Sequence, residues 1–444
     1  MLRPQSKLLL ISLLIISAIN LTWSQAQDNS PFSRFGLGDF EESDMPSSHS
    51  LGGLSAVYHD FFEANLENPA SLGFLQYTSL QMGLFIKSAN VHRFGESQRV
   101  WSGNMDHLSL NIPLINPLNE ALERRETDFS WGTSVSFRPY SHVGYDIEIK
   151  EVIPNIGLVE RSFTGSGGLY QITWANGLKY KNFAAGVNLG FIYGKPTFEE
   201  DTKFTELGNA YRSYFRTADY YSGFQYRVGM IYEHPLDLAE ARKHNDNPSR
   251  LLSFGVFMSG QSTLDTRSDI IKLSINDAIT DIDTAIIVED QLGEAILPVT
   301  WGAGVMYRRS SDFRFGADVQ FSSWTDYMNS ARPDNLENTF RVGAGFGWIP
   351  DANSYASYFQ RVEYRVGFYA LSDPRVIEGS QVKASALTVG AGLPLVLQRN
   401  IAWIQLGLDI GKRYGGDNLS ENYCRGKVAF IFNDNSWFIK GKYN

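Results

Sequence analysis

The chain has 444 residues, a formal net charge of −9, 14% aromatic residues, 40 glycines and a single cysteine, Cys424. The negative balance argues against nucleic acid as a partner, because neutralising phosphates requires a basic surface. One cysteine excludes an intramolecular disulfide framework, so an exported chain of this size must be stabilised by other means, such as a closed sheet.

In chain order, residues 1–26 carry a basic start (Arg3, Lys7), the apolar run "LLLISLLIISAI" and a small-residue exit at Ser24-Gln25-Ala26. That is the layout of a secretory signal peptide with cleavage after Ala26. The apolar run is too short for a spanning helix. Residues 27–76 are too few for an independent domain, yet they hold Phe32, Phe35, Leu37, Phe40, Leu51, Leu54, Phe61, Phe62 and Leu66. A free tail would expose these side chains, so the segment is expected to pack as a hatch or plug. It ends in a tight loop at Asn68-Pro69-Ala70, just before the first alternating run.

From about residue 77 to 432 the sequence alternates with period two. In "FSWGTSVSFR", Phe129, Trp131, Thr133, Val135 and Phe137 share one face, against Ser130, Gly132, Ser134, Ser136 and Arg138. "FAAGVNLGFIY" and "FRFGADVQF" repeat the pattern, and "FRVGAGFGW" sets Phe340, Val342, Ala344, Phe346 and Trp348 against Arg341 and glycines. A secreted soluble sandwich also alternates, but its strands are usually shorter. These runs reach the roughly 9–11 residues that cross a bilayer at a tilt, and aromatics cluster at their ends as in interfacial girdles. The fold class expected is all-β: an antiparallel transmembrane barrel of about 14 strands, spanning 77–432, with an N-terminal hatch at 27–76 and a periplasmic tail at 433–444. An even strand number closes such a barrel with both strand ends in the periplasm. The segments 140–167, 195–218 and 261–296 then fall outside as long loops.

The stretches "LGGLSAVYHDFFEANLENPASLGFL" and "ILPVTWGAGVMYRRSSDFRFGADVQFSSWTDY" resemble the hatch and later strands of the FadL-like outer-membrane transport family, including its Asn-Pro-Ala loop, Leu297-Pro298 and the Trp324 to Tyr327 hairpin end. "SPFSRFGLGDF" and "ENYCRGKVAFIFNDNSWFIKGKYN" look more like a Bacteroidota branch of such barrels. The likeness covers the hatch and the region after residue 297 and is weak between 89 and 290. It implies an outer-membrane location, contact with membrane lipid and inward movement of hydrophobic compounds. Where family barrels end on an aromatic, here Phe432 is followed by "NDNSWFIKGKYN".

With the apolar positions facing lipid, the opposite face carries Arg314, Arg341, Arg361, Arg365, Arg425 and Lys427. A guanidinium in a dry lumen can grip a carboxylate head group through paired hydrogen bonds. Arg314, Arg341 and Arg365 are therefore the candidate ligand-binding residues, and Asn68, Pro69 and Ala70 the candidate gating loop. The competing reading has Asp318 and Glu363 pairing with these arginines and bracing the wall. The acidic segment 261–296 lacks the spacing of a calcium loop and reads as a solvated outer loop. The seven histidines lack metal-ligand spacing and are expected at the surface or in loops. No cofactor, metal or catalytic motif stands out, and nothing argues for an enzyme. The family resemblance favours passive uptake of hydrophobic or amphiphilic small molecules gated by the hatch; the alternative is a non-transporting barrel subunit of an outer-membrane protein assembly or secretion complex, with outer-membrane or periplasmic protein partners.

Overall fold

The computed structural model describes residues 30–41, 45–115, 127–207, 210–238, 248–276, 281–310, 312–396, 401–416 and 418–434. The expected signal peptide and residues 435–444 of the expected tail lie outside these. Fourteen strands form a closed antiparallel ring: β1 Thr78–Arg93, β2 Glu96–Pro113, β3 Phe129–His142, β4 Gly168–Tyr180, β5 Phe183–Gly194, β6 Arg212–Pro235, β7 Arg250–Ser259, β8 Thr300–Arg309, β9 Phe313–Ser322, β10 Thr339–Trp348, β11 Glu363–Ile377, β12 Ser380–Val396, β13 Ile401–Gly415 and β14 Leu419–Asp434. Closure runs from Thr78 opposite Asp434 to Arg93 opposite Leu419. The last strand thus continues through Asp434, two residues into the stretch expected as a tail.

The alternation is realised as read. Leu80, Met82, Leu84 and Ile86 are exposed on the outside of β1, while Ser79, Gln81 and Lys87 are buried inside. Likewise Trp131 and Val135 face out, and Ser134, Ser136 and Arg138 face in. Closure pairs every strand of the ring with two neighbours, which leaves no strand at a free edge of the sheet. Cys424 is exposed on the outward face of β14.

We call the end of the ring that holds Thr78 and Asp434 the base and the opposite end the crown. The crown differs from expectation. The segments read as long loops are paired strands: Tyr145–Ile153 with Gly157–Ser166, then Thr197–Phe204, the first half of β6, Ser262–Asn276 and Asp281–Leu297, each hydrogen-bonded to the next. The acidic stretch is therefore a hairpin, with Asp265 opposite Glu294 and Arg267 ion-paired to Asp290 at 3.1 Å.

Residues 45–75 lie inside the ring. Leu51 and Gly52 rest on Gly343, Gly345 and Gly367; Ala56 rests on Gly255; Pro69 and Leu72 rest on Gly132, Gly177 and Gly186. A segment that touches the inward side of strands all round a closed ring has nowhere else to be. The run 30–41 sits at the crown, where Ser30 donates to Gly144 O at 2.9 Å and Asp39–Phe40 pairs with His142 and Ser141 of β3. The first described residue, Ser30, is at the crown, because the segment runs the length of the lumen before turning into β1.

Candidate functional site

Glycine on the inner face of the strands explains how a folded segment fits inside. A Cβ on Gly345 would stand 2.2 Å from Leu51 O, and one on Gly343 would stand 2.0 Å from Gly52 O. The pattern "VGAGFGW" thus gives β10 a large outward face and an inward face on which another backbone can lie directly. Gly52 itself has φ +74°, a left-handed turn that an L side chain resists.

The Asn-Pro-Ala loop is fixed in the same way. Asn68 caps the 3-10 helix Pro69–Phe74 by accepting from Ala70 N at 3.1 Å. Its side-chain nitrogen donates to Ala56 O at 2.5 Å, Val256 O at 3.2 Å and Met230 O at 3.4 Å. Asn68 and Ala70 are fully buried. The loop therefore ties two turns of the lumenal segment to β6 and β7.

Charge fastens the segment at further points. Glu67 accepts from Arg138 at 3.0 Å and from Arg227, and Arg138 is braced by Gln171 at 3.0 Å. Glu233 of β6 receives His59 at 3.0 Å, Lys179 at 3.2 Å and Arg308 at 2.9 Å. Arg314 bridges Asp60 at 3.2 Å and Glu363 at 3.1 Å, while Arg365 binds Glu363 and, at 2.7 Å, Gln405. At the crown, Asp39 is held by Arg375 and, at 3.1 Å, by Arg413. Burial alone would raise the Asp39 pKa, but Arg413 and Arg375 outweigh it and hold the carboxyl well below the usual range. Glu63 behaves oppositely. It is buried beside Ser47, and desolvation raises its pKa to about 7.

Two cavities flank the segment. One, of about 220 Å³ on the crown side, is lined by Phe40, Glu67, Arg138, Arg227 and Arg341 among others. The other, of about 520 Å³, opens at the base beside Phe61, Phe62, Arg365 and Trp403. Among the described residues none lines both. The three arginines singled out in the sequence are accordingly split. Arg314 and Arg365 line the base cavity, whereas Arg341 lies over the Tyr369 ring at 5.1 Å on the crown side. Glu363 pairs with Arg314 and Arg365 as the bracing reading expects, while Asp318 accepts from Ala56 N at 2.5 Å. His49, His59, His107 and His142 are buried rather than at the surface, each within reach of a carboxylate. Glu67, Arg138, Arg227, His59 and Glu233 were not foreseen as a cluster. Their only signal was that each charge falls on an inward position of a strand or in the lumenal segment.

Among the described residues the ladder of the ring wall is interrupted between β2 and β3. β2 and β3 pair only from Leu108 opposite Phe137 to Pro113 opposite Gly132. Above Leu108, among the described residues, 96–107 and 138–142 are not paired with each other. Two sequence features part the strands. A bulge in β2 at Asp106 turns its carboxylate to Lys427, 2.8 Å away, and Pro139 of β3 has no N–H to donate. Asp39–Phe40 lies in the opening against β3, and Asn104 reaches across to His142 at 3.2 Å.

This geometry is a barrel wrapped around its own N-terminal segment. The sequence profile of the BamG family matches residues 6–444. The chain belongs to the BamG family. Among solved structures this BamG-family barrel is similar to the Pseudomonas putida toluene transporter TodX, at 13% identity and a TM-score of 0.56, covering 90% of this chain and 100% of that one. The Ralstonia pickettii toluene transporter TbuX is similar at 12% and 0.53, covering 90% and 99%. A Pseudomonas aeruginosa FadL homologue is similar at 10% and 0.52, covering 88% and 97%. At such identities the likeness is one of fold: an outer-membrane β-barrel of FadL-like architecture. No curated protein matches the chain in sequence.

Proposed function

We propose that this barrel is a non-transporting subunit of an outer-membrane protein assembly complex, its lumen closed by the N-terminal segment. The observation that carries the reading is the backbone seating of residues 51–72 on wall glycines, reinforced by the buried ion pairs of Glu67, Glu233 and Arg314. A gate that opens in each transport cycle would have to leave these charges unpaired in a dry interior, at several kcal/mol for each broken pair. The name of the family, BamG, points in the same direction. The outward faces of the strands and the paired crown then offer rigid surfaces to partner proteins.

The uptake reading has its own support in the break between β2 and β3, in the crown-side cavity and in the fold shared with the toluene transporters. In that reading Asn68, Pro69 and Ala70 gate the path, and the arginines hold the head group. Native mass spectrometry on protein gently extracted from its own outer membrane separates the two. A stable complex with other proteins and no retained amphiphile is the expected result. A monomer carrying one amphiphile per chain would overturn the assembly reading in favour of uptake.

A further inference from the structure

A polar pair faces hydrocarbon on the outer wall of the barrel. Thr133 of β3 stands opposite Asn176 of β4. Both point outward, because their strand neighbours Gly132 and Gly177 point in: a Cβ on these would stand 2.2 Å from Leu72 O and 2.4 Å from Pro69 O of the lumenal segment. The pair lies inside the apolar band. On the base side, the exposed rings of Tyr180 and Phe183 and the exposed ion pair of Lys181 with Asp128, at 3.6 Å, mark the interface with water. On the crown side, the Tyr170 ring packs between Phe137 at 5.7 Å and Tyr193 at 6.2 Å. Asn176 is four residues from Tyr180 and six from Tyr170, so the nearer ring is about 13 Å away along the strand. Between their own ends, the next strands expose apolar Val187, Val228, Met230 and Val256.

The two polar side chains differ in what they have left to bond. The Thr133 hydroxyl donates to Ala175 O at 3.0 Å and accepts from Trp174 Nε1 at 3.2 Å. Asn176 Oδ1 accepts from Trp131 Nε1 at 3.3 Å, but among the described residues Asn176 Nδ2 donates to nothing. Acyl chains carry no acceptor at this depth, so two amide protons face a solvent that cannot receive them. A polar side chain placed there marks a functional surface, and its chemistry defines what it lacks. The flanking tryptophans, 41% and 54% exposed, turn their N–H groups to the pair and their apolar rings outward. Tryptophan is over-represented among the residues that anchor protein interfaces.

We infer that the face of β3 and β4 around Asn176 docks a membrane-spanning partner protein. The partner presents an amide or hydroxyl oxygen to Asn176 Nδ2 and an apolar surface to Trp131 and Trp174. A lipid tail covers the rings equally well but leaves the amide unpaired. The inference rests on the assembly reading and locates one contact of the complex within the bilayer, away from the crown and the base.

The test compares Asn176 with Val228, an exposed outward residue of β6. Photoreactive p-benzoylphenylalanine is placed at each position in living cells, and the complex is then extracted for native mass spectrometry. Irradiation is expected to join position 176 to one subunit that the unaltered complex also contains, and to give no adduct with that subunit at 228. Asn176→Leu, which keeps the volume and removes the amide, should lower retention of that subunit at least fivefold, and Asn176→Gln should restore it. Heat-modifiable migration on gels checks that each variant is folded. Should Asn176→Leu fail to fold, cross-linking at Val187, paired with Asn176 across β4 and β5, decides instead. Lipid adducts alone at 176 and 187, an adduct with a second copy of this chain, or undiminished retention in a folded Asn176→Leu would overturn the inference while an intact complex keeps the assembly reading. A monomer without protein partners would overturn both.

Discussion

Between residues 30 and 41 the N-terminal segment is held at the crown by charge, through Asp39 to Arg375 and Arg413, by Gly36 N to Asp334 at 2.8 Å, and by Phe32 and Leu37 buried in apolar clusters. Between residues 45 and 75 its backbone lies directly on wall glycines such as Gly343, Gly345, Gly367 and Gly255, with the ion pairs of His59, Asp60 and Glu67 between these seats. The difference is one of release. A charge clamp can be undone by protonation or by one substitution, and its loss is local. A glycine seat has no side chain to rearrange and gives way only if the wall and the segment separate.

Gly345→Val puts that difference to the strongest test. The three atoms nearest its Cβ would all be Leu51 backbone, at 2.2 to 2.5 Å, and backbone cannot swing aside as a flexible side chain does. The cost should exceed the roughly 1–3 kcal/mol of ordinary overpacking. The expected outcome is a barrel that either fails to fold or folds with the segment displaced. Planar-bilayer recording should then find conductance in the variant and none in the unaltered protein. A silent, fully folded variant would mean that the seat is looser than its geometry.

Asp39→Asn breaks the other holdfast. It leaves Arg375 and Arg413 buried with less counter-charge, at about 3–5 kcal/mol for such a pair. Hydrogen exchange should quicken in 30–41 and remain slow in 45–75. The clamp should also be insensitive to ordinary pH. With its pKa held down by the arginines, Asp39 contributes stability that is present above the unfolded carboxylate value near 3.9 and fades only as pH falls below it.

Glu63 has the opposite sign. Its pKa is raised from 4.5 to about 7 by burial, with Asp60 and Glu363 adding to the rise and Ser47 and Arg365 opposing it. Below pH 4.5 folded and unfolded states are both protonated there, and the group contributes nothing. As pH rises from 4.5 to 7 the unfolded chain ionises first, so stability falls, and the full penalty, up to about 3 kcal/mol, stands above pH 7. Glu63→Gln should therefore raise the urea midpoint at pH 8 and leave it unchanged at pH 4.

How legible was this in the sequence? The fourteen strands were, because each side of the wall imposes its own chemistry at every second residue and a lipid-facing Phe or Leu cannot trade places with an inward Ser or Gly. The crown was not, since strands with water near both faces, such as "TFEEDTKF", carry no such contrast. Nor was the split of Arg341 from Arg314 and Arg365. All three are inward residues on neighbouring strands, and only their height relative to the lumenal segment separates them. The pairs Glu67 to Arg138 and Glu67 to Arg227, 71 and 160 residues apart, depend on how the segment threads the ring, which no local pattern encodes.

Asn68 gives the finest probe, because a gate and a fixed tie to three carbonyls predict different outcomes for the same substitution. Asn68→Ala removes the cap on Pro69–Phe74 and the donor shared by Ala56, Val256 and Met230 carbonyls. Capping losses run at about 1 kcal/mol, and one unsatisfied buried carbonyl adds a similar amount. A drop of about 1–2 kcal/mol in unfolding free energy is expected, with no conductance, because the glycine seats on either side of the loop remain occupied. A gate would respond differently. If the loop is the moving part of an uptake path, Asn68→Ala should open it, and the variant would conduct while losing little stability.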